Sequence, residues 1–232
     1  MTARIIEDPY LRDKCSVYKD RRDAGTVLGH LLCGVQEWSG PVCCPIPAGG
    51  VPVAAQIARI LLAPLRLTIV RKVHVPWNQE AGFGAVTWDG RVILNTELLD
   101  TLGMTGEEVD QVIEETRRNI QERIARLRPT RPEPDLRQRE VILIDDGLAS
   151  GYTMLAAVGA VRHHEPASIT VAVPTAHDMS IRRVTAGADY IVCPNIRSGP
   201  HYAVADAYRE WHDVSDKEVL SCLKMASDHG LY

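Results

Sequence analysis

A run of apolar residues at positions 141–144 leads directly into two aspartates, Asp145 and Asp146, and a short polar loop after them opens into a predicted helix. An apolar run of this length, bounded by turn-forming residues, is typical of a strand buried on both faces of a parallel sheet. Ligands of open α/β sheets bind at the carboxyl ends of the strands. We therefore expect the two carboxylates at a ligand-binding edge of an α/β protein.

The loop after the acidic pair contains Ser150, Gly151 and Thr153 immediately before the predicted helix. Backbone N–H groups at the start of a helix, two hydroxyls and a glycine without Cβ together form a cradle that suits a phosphate group. Asp145 and Asp146 can accept hydrogen bonds from the hydroxyls of a ribose whose phosphate lies in this cradle. A phosphate site beside a diol site predicts a ribose 5-phosphate ligand.

Other classes of site also place acidic residues at the end of a strand. Paired aspartates occur in receiver domains and metal-dependent phosphatases, but those classes do not require a Ser-Gly-x-Thr loop and a helix directly afterwards. A Walker A loop needs Gly-Lys-Ser or Gly-Lys-Thr, which this sequence lacks. Two acids that cap a helix without binding a ligand remain an open alternative.

The remainder of the chain alternates between segments with strand patterns and segments with helix patterns. The predicted core strands, each a short apolar run, are residues 41–46, 65–70, 141–144, 168–173 and 190–193. The predicted helices, each with apolar residues at helical spacing, are residues 22–33, 52–62, 153–162, 181–186 and 215 to about 225. This order predicts an α/β fold with a five-stranded, mostly parallel sheet flanked by helices.

An insertion interrupts this alternation after the second predicted strand. Residues 83–87 and 91–95 flank an Asp89-Gly90 turn, which predicts a β-hairpin. A capping box from Thr105 to Glu108 then begins a long helix at residues 105–127 with an apolar stripe. We therefore predict a single domain over residues 1–232 with an insertion at about 73–135, and the long helix would suit the interface of a homodimer.

Charge and composition exclude several classes of partner. The net charge of −4 gives no electrostatic reason to expect nucleic acid. No run approaches the ~18 apolar residues of a membrane span, and the N-terminus lacks an apolar signal segment. The six cysteines have no zinc-site spacing and are expected to be reduced thiols. We expect a soluble, cytoplasmic protein whose partners are small molecules.

Residues 141–153 resemble the signature that type I phosphoribosyltransferases use to bind 5-phosphoribosyl-1-pyrophosphate (PRPP): two hydrophobic residues and an acidic pair, followed by Thr/Ser-Gly-x-Thr. Residues 22–25, 47–52, 70–72, 84–86 and 214–216 are similar to motifs of a less characterised branch of predicted phosphoribosyltransferases. The similarity extends over roughly residues 20–220. It implies the same α/β sheet with a small C-terminal hood at about 194–214, which is completed by the N-terminal segment.

The resemblance implies a reaction and a set of site residues. The 5-phosphoribosyl group of PRPP would pass to a nitrogenous base, a purine or a pyrimidine, with release of pyrophosphate, and Mg²⁺ would be bound mainly through PRPP and water. The acidic pair would be catalytic. The 5-phosphate would bind at Ala149, Ser150, Gly151, Tyr152 and Thr153. Pyrophosphate would bind at Ala48, Gly49 and Gly50, with Arg71 and Lys72 as candidate cations, and the base would contact Ile196 and Tyr202 of the hood.

Two positions depart from the family pattern. Ala48 stands where related sequences usually carry arginine, which removes one positive charge from the pyrophosphate loop. Ala149 stands where 6-oxopurine enzymes have the aspartate that handles the proton on the base. Adenine-type relatives have alanine there and a glutamate on a mobile loop over the site, for which Glu80 is the candidate.

Two alternative functions stay open at this point. A regulatory protein that senses PRPP without turning it over would fit both alanines. An enzyme that transfers the phosphoribosyl group to a non-nucleobase aromatic acceptor would fit the same fold. Individual side chains also have simpler roles available, since Tyr202 could fill the core of its own loop, and Arg71 and Lys72 could be solvated charges at a strand end.

Overall fold

The structure of the protein is a computed structural model that describes residues 3–127 and 135–232, without the side chains of residues 79–81. The strands in chain order are β1 (Arg4–Ile6), β2 (Val42–Pro45), β3 (Val70–Val75), β4 (Asn78–Thr87), β5 (Val92–Leu94), β6 (Glu140–Ile144), β7 (Ser168–Ala172), β8 (Thr175–His177), β9 (Tyr190–Val192) and β10 (Asn195–Arg197). The helices are α1 (Arg21–Cys33), α2 (Gly50–Leu61), α3 (Thr96–Leu102), α4 (Gly106–Leu127), α5 (Tyr152–His163), α6 (Asp178–Val184), α7 (Asp216–Asp228) and a short 3-10 helix (Val204–Ala207).

The central sheet has five strands in the order β1-β9-β7-β6-β2, and every neighbouring pair is parallel. Alternate side chains of β6 face opposite layers of helices, as the pleat requires. Val141 and Leu143 pack in the cluster that contains the α5 side chains, whereas Ile142 and Ile144 pack with α1 and α2. The predicted α/β class and the five-stranded parallel sheet are confirmed.

One of the five predicted core strands is replaced by another segment. Residues 65–70 run beside β2 but form a single bridge, between Leu65 and Cys43, and β3 then begins at Val70 in a different sheet. The fifth strand of the central sheet is instead β1, which pairs with β9. Its apolar signal is weak because it has three residues and Ile5 is 45% exposed at the sheet edge.

The insertion is larger than the predicted hairpin. The Asp89-Gly90 turn does join two antiparallel strands, β4 and β5, but β3 adds a third strand to this sheet. The capping box is present, because the Thr105 N–H donates to Glu108 at 2.8 Å and the Glu108 N–H donates to Thr105 Oγ1 at 3.3 Å. Helix α3 was not predicted, and residues 128–134 at the end of the insertion lie outside the described residues.

The hood consists of β10, the 3-10 helix and the N-terminal segment that packs on them. β10 pairs with β8 as a two-stranded parallel sheet. Asn195 at the start of β10 donates to the carbonyls of Leu11 at 2.5 Å and Lys14 at 3.1 Å, and the Asp13 N–H donates to the Ile196 carbonyl at 3.0 Å. These hydrogen bonds hold the N-terminal segment against β10 within the hood.

Within the described residues, no helix combines the length and the apolar character needed to cross a lipid bilayer.

Candidate active site

The acidic pair lies at the carboxyl end of β6, between β7 and β2 in the central sheet. The Asp146 N–H donates to Asp145 Oδ1 at 2.9 Å, so the two carboxyl groups share one small volume. Burial and the neighbouring charge of Asp146 raise the pKa of Asp145 well above its usual range. Closely spaced carboxylates with a perturbed pKa at this edge of a sheet are typical of a functional site.

Arg21, at the start of α1, pairs with one member of this acidic pair. Its Nε donates to Asp146 Oδ2 at 2.8 Å, and its Nη1 donates to the His212 carbonyl at 2.8 Å. The guanidinium carbon lies 3.8 Å from the ring centroid of Trp211. The side chains of Arg21 and Asp146 are 7% and 16% exposed, so this is a buried ion pair.

In the sequence, Arg21 and Arg22 form a basic pair that could serve a small anionic ligand, but Arg21 was not assigned a role in the site. The sequence pattern that indicates its burial is the helical spacing of α1, because Arg21 lies on the same buried face as Ala24 and Leu28. A charged residue in an apolar stripe needs a buried partner. That partner is distant in sequence, and the pattern of α1 alone does not identify it.

Residues 47–50 form a loop, here called the glycine loop, that touches the acidic pair. An added Cβ at Gly49 would lie 1.9 Å from Asp146 Oδ2, and one at Gly50 would lie 2.5 Å from the Ile144 carbonyl oxygen. The peptide bond between Pro47 and Ala48 is cis. Both positions require glycine, because the backbone of β6 and the Asp146 carboxylate leave no room for a Cβ. The predicted pyrophosphate loop is therefore in contact with the predicted ribose-binding acids.

The structure places the two candidate cations of the pyrophosphate site on β3, in the inserted sheet. Arg71 is paired with Val86 across β4, and it lies near Arg123 of α4. The pKa of Arg123 is lowered by burial first, with the positive charge of Arg71 adding to the effect. The stem of Lys72 lies against Gly82, where an added Cβ would be 2.3 Å from Lys72 Cγ. Their role with pyrophosphate stays a prediction.

The loop at residues 147–151, here called the Ser-Gly loop, leads into α5 in the way that a phosphate cradle requires. Gly151 is the N-cap and has φ +77°, the left-handed region that favours glycine. Ser180 Oγ donates to the Ala149 carbonyl, and Arg183 donates to the Ser150 carbonyl. No side chain caps α5 among the described contacts, so its first N–H groups are available to an anion.

Tyr152, in the first turn of α5, joins the Ser-Gly loop to the insertion. Its hydroxyl accepts a hydrogen bond from Asn95 Nδ2 at 3.2 Å, and the Arg183 guanidinium carbon lies 4.4 Å from its ring centroid. A cavity of about 230 Å³ beside it is lined by apolar side chains that include Ile93 and Leu155. Tyr152 and Thr153 are half-buried, whereas Ala149 and Ser150 are exposed.

The two candidate base-binding residues of the hood are not equally accessible. Ile196 is 5% exposed and belongs to the main hydrophobic cluster. Tyr202 is half-buried, with His177 edge-on at 5.5 Å and Arg197 over its ring at 5.1 Å. Its hydroxyl lies 3.4 Å from Thr175 Oγ1. The Tyr202 ring therefore already contacts two side chains of the protein, His177 and Arg197. The role of Ile196 and Tyr202 in binding a base stays a prediction.

Glu80, the candidate acid/base, lies in β4, and its side chain is outside the described part of the chain.

A parallel α/β sheet with a glycine loop, an acidic pair and a Ser-Gly loop at one edge defines a nucleotide- or sugar-phosphate-binding class of protein. The family described as "Phosphoribosyl transferase domain" matches residues 35–204, so the chain belongs to the phosphoribosyltransferase family. The matched residues contain both loops and the acidic pair, and they end in the 3-10 helix of the hood.

Two Mycobacterium tuberculosis proteins, from strains CDC 1551 / Oshkosh and ATCC 25618 / H37Rv, are each named "Putative phosphoribosyl transferase" and are 35% identical to this chain over 215 residues. The alignment covers 90% of this chain and 47% of each relative, so the chain spans about half the length of these curated relatives.

Two solved structures support the fold. The crystal structure of TT1426 from Thermus thermophilus is 32% identical with a TM-score of 0.76, and the match covers 89% of this chain and 97% of that one. The AQ2163 protein from Aquifex aeolicus is 11% identical with a TM-score of 0.50, covering 88% and 86% of the two chains, and it is similar in fold alone.

Proposed function

We propose that this chain transfers the 5-phosphoribosyl group of PRPP to a nitrogenous base, a purine or a pyrimidine, and releases pyrophosphate. The observation that carries the proposal is the contact between Gly49 and the Asp146 carboxylate. It joins the predicted pyrophosphate loop to the predicted ribose-binding acids at one edge of the sheet. The open N-terminus of α5 follows the same acids along the chain and supplies a 5-phosphate site.

The proposed reaction breaks the bond between ribose C1 and pyrophosphate oxygen and forms a bond between C1 and a base nitrogen. The proton of that nitrogen passes to Glu80, the candidate acid/base, or to water. Positive charge develops on the ribose ring in the transition state. Asp145 and Asp146 would hold the ribose hydroxyls, and the N–H groups of Ala48 and Gly49 would face the departing pyrophosphate, since the Gly50 N–H donates to the Ile46 carbonyl at 3.2 Å. The contribution of the protein is the alignment of two reactants and fixed electrostatic stabilisation.

The donor groups of this site fit magnesium. Asp145 and Asp146 present carboxylate oxygens, which Mg²⁺ prefers together with phosphate oxygens and water. The described ranges, 3–127 and 135–232, contain no cluster of three or more His, Cys, Asp or Glu side chains placed for a metal. PRPP and water would therefore supply most ligands. When bound, the ion would offset negative charge on the leaving pyrophosphate.

We expect PRPP with Mg²⁺ to raise the melting temperature, because a ligand that binds the native state alone stabilises it by about 2.7 kcal/mol at a hundred times its Kd. A panel of purines, pyrimidines and aromatic acids, incubated with PRPP and Mg²⁺, should then release pyrophosphate with at least one base. The absence of any melting shift at millimolar PRPP would contradict the proposal.

Two outcomes of this panel would favour the alternative functions. Binding without turnover by any acceptor would indicate a PRPP sensor, which the alanines at positions 48 and 149 favour because neither contributes a charge or moves a proton. Turnover with an aromatic acid but with no nucleobase would indicate the non-nucleobase acceptor.

Thr153→Val is expected to weaken capture of the 5-phosphate and leave the fold in place. The hydroxyl lies in the first turn of α5, and valine keeps the branched shape while removing one donor. Loss of one hydrogen bond to a charged group corresponds to an increase of about tenfold in KM for PRPP, or ~1.4 kcal/mol. The control is Thr26→Val on α1, whose hydroxyl donates to the Arg22 carbonyl outside the site. Equal KM values for both variants and the wild type would contradict this role.

A further inference from the structure

The ion pair between Arg21 and Asp146 lies inside the proposed site, but Arg21 lies outside the family match at residues 35–204. Two contacts fix the guanidinium independently of Asp146. These are the hydrogen bond from Nη1 to the His212 carbonyl at 2.8 Å and the stacking on Trp211 at 3.8 Å. These two contacts and the ion pair fix the orientation of the Arg21 guanidinium. The hydrogen bond from Nε to Asp146 Oδ2 in turn fixes the orientation of the Asp146 carboxylate.

The charge balance of the site also depends on Arg21. Two adjacent carboxylates repel each other and an anionic ligand such as PRPP. In the described residues, 3–127 and 135–232, Arg21 is the one cationic side chain that forms an ion pair with Asp145 or Asp146. Arg21 therefore supplies the fixed positive charge next to the acidic pair.

The same contact brings Arg21 close to the glycine loop. Asp146 Oδ2, which accepts the hydrogen bond from Nε, is the oxygen against which Gly49 packs. Asp146 Oδ2 therefore contacts both the Arg21 guanidinium and the predicted pyrophosphate loop. The loop itself carries Ala48 and two glycines and has no charge of its own.

We propose that Arg21 is a positioning residue of the PRPP site, which fixes the Asp146 carboxylate toward the ribose hydroxyls and supplies the positive charge that the glycine loop lacks. This inference rests on the proposed function. A purely structural role would stabilise the hood and leave the affinity of the folded protein for PRPP unchanged.

Arg21→Gln tests the proposal, because glutamine keeps a polar side chain and removes the charge. We expect KM for PRPP to rise by about tenfold to a hundredfold, the range for a charge-assisted hydrogen bond. Arg21→Lys keeps the charge but loses the fork of donors, so it should recover part of the affinity. The control is Arg22→Gln, which removes the exposed neighbouring charge on the same helix and should leave KM within about twofold, as is usual for surface substitutions.

A double-mutant cycle then determines whether Arg21 acts through Asp146. If it does, the loss in the double variant, Arg21→Gln with Asp146→Asn, should be smaller than the product of the two single losses, and the part that exceeds Asp146→Asn alone reports the charge that Arg21 supplies to the glycine loop. Removal of both partners also avoids a buried uncompensated charge, so the double variant should fold even where Arg21→Gln does not. An unchanged KM in Arg21→Gln, or additive effects in the cycle, would overturn the proposal.

Carboxyl titration by NMR distinguishes failure of this inference from failure of the proposed function. The charged and titratable groups that face Asp146 are Asp145 on β6, Arg21 on α1, and Tyr202 and Tyr208 of the hood. Burial raises the pKa of Asp146, whereas the charge and hydrogen bond of Arg21 favour its ionised form more strongly than the hydrogen bond with Asp145 does, so Arg21→Gln should raise this pKa further whether or not PRPP is a substrate. An unchanged titration would overturn the positioning role. A wild-type protein that does not bind PRPP would overturn the proposed function and, with it, the role of Arg21 at a PRPP site.

Discussion

Asparagine at position 145 or 146 is expected to lower PRPP turnover by about tenfold to a thousandfold, corresponding to ~1.4–4 kcal/mol. Each carboxylate would make charge-assisted hydrogen bonds to ribose hydroxyls, which are roughly twice as strong as neutral ones. Asparagine retains the size and one acceptor, so the loss is electrostatic. The measurement is kcat/KM for PRPP, with Asp100→Asn on the exposed side of α3 as the control for loss of one negative charge.

The two substitutions are expected to change stability in opposite directions. Asp145→Asn removes a buried charge whose pKa is raised by burial and by Asp146, so the variant should melt above the wild type at pH 8 by about 2–4 °C. A raised pKa in the folded state means that wild-type stability is lost as pH rises through that value. The difference in melting temperature should therefore shrink as pH falls and close near the ordinary aspartate pKa of about 4.

Burial raises the pKa of Asp146 as well, but Asp146 has a buried ion pair with Arg21. Asp146→Asn should instead lower the melting temperature, because loss of one partner leaves the guanidinium as an uncompensated buried charge. The expected cost is about 1–3 kcal/mol, typical of a weakened hydrogen bond to a charged group. If the acids serve only to cap a helix, both variants lose stability and PRPP affinity does not change. That outcome would refute the assignment of the acidic pair to the ribose.

Gly49→Ala is the second substitution with a large expected effect. Its Cβ would be placed 1.9 Å from Asp146 Oδ2, so either the glycine loop or the carboxylate must move. Overpacking of this kind costs about 1–3 kcal/mol. Displacement of Asp146 would also disturb its ion pair with Arg21. We expect PRPP affinity to fall by about a hundredfold or more, an amount that corresponds to ~2.7 kcal/mol.

The matched control for this substitution is Gly106→Ala at the start of α4. A Cβ at Gly106 meets no atom within 4 Å, and the residue has no positive φ. The control should bind PRPP as the wild type does. If Gly49→Ala also binds PRPP with wild-type affinity, the glycine loop is not part of the ligand site.

The sequence predicts those parts of the site that are contiguous in the chain. The strand before Asp145, the turn at Gly151 and the start of α5 each have a local physical cause: an apolar run, a left-handed glycine and open N–H groups. These features require no information about distant residues. The family resemblance assigns the glycine loop to pyrophosphate, and the structure brings this loop against the acids because parallel strands end at one edge of the sheet.

Contacts between distant residues were not predictable in the same way. Arg21 and Asp146 are 125 residues apart, and the stripe of α1 indicates burial without naming the partner. Residues 65–70 had the apolar pattern of a core strand, but strand pairing depends on neighbours as well as on pattern. Tyr202 was predicted to contact the base, but the side chains that surround it, His177 and Arg197, are determined by the fold of the hood.

The pairing of β1 with β9 has a consequence for the order in which the protein folds. β1 is synthesised before the other named strands, whereas its partner β9 comes after β8. β1 and the residues that hold β10 therefore cannot pair until β9 and β10 have left the ribosome, and contacts of such long sequence separation form slowly. β2, β6 and β7 can pair earlier, so the acidic edge exists before the hood covers it. We therefore expect completion of the site to be a late folding event, and a nascent chain that stops before β9 to expose the unpaired edge of a parallel sheet.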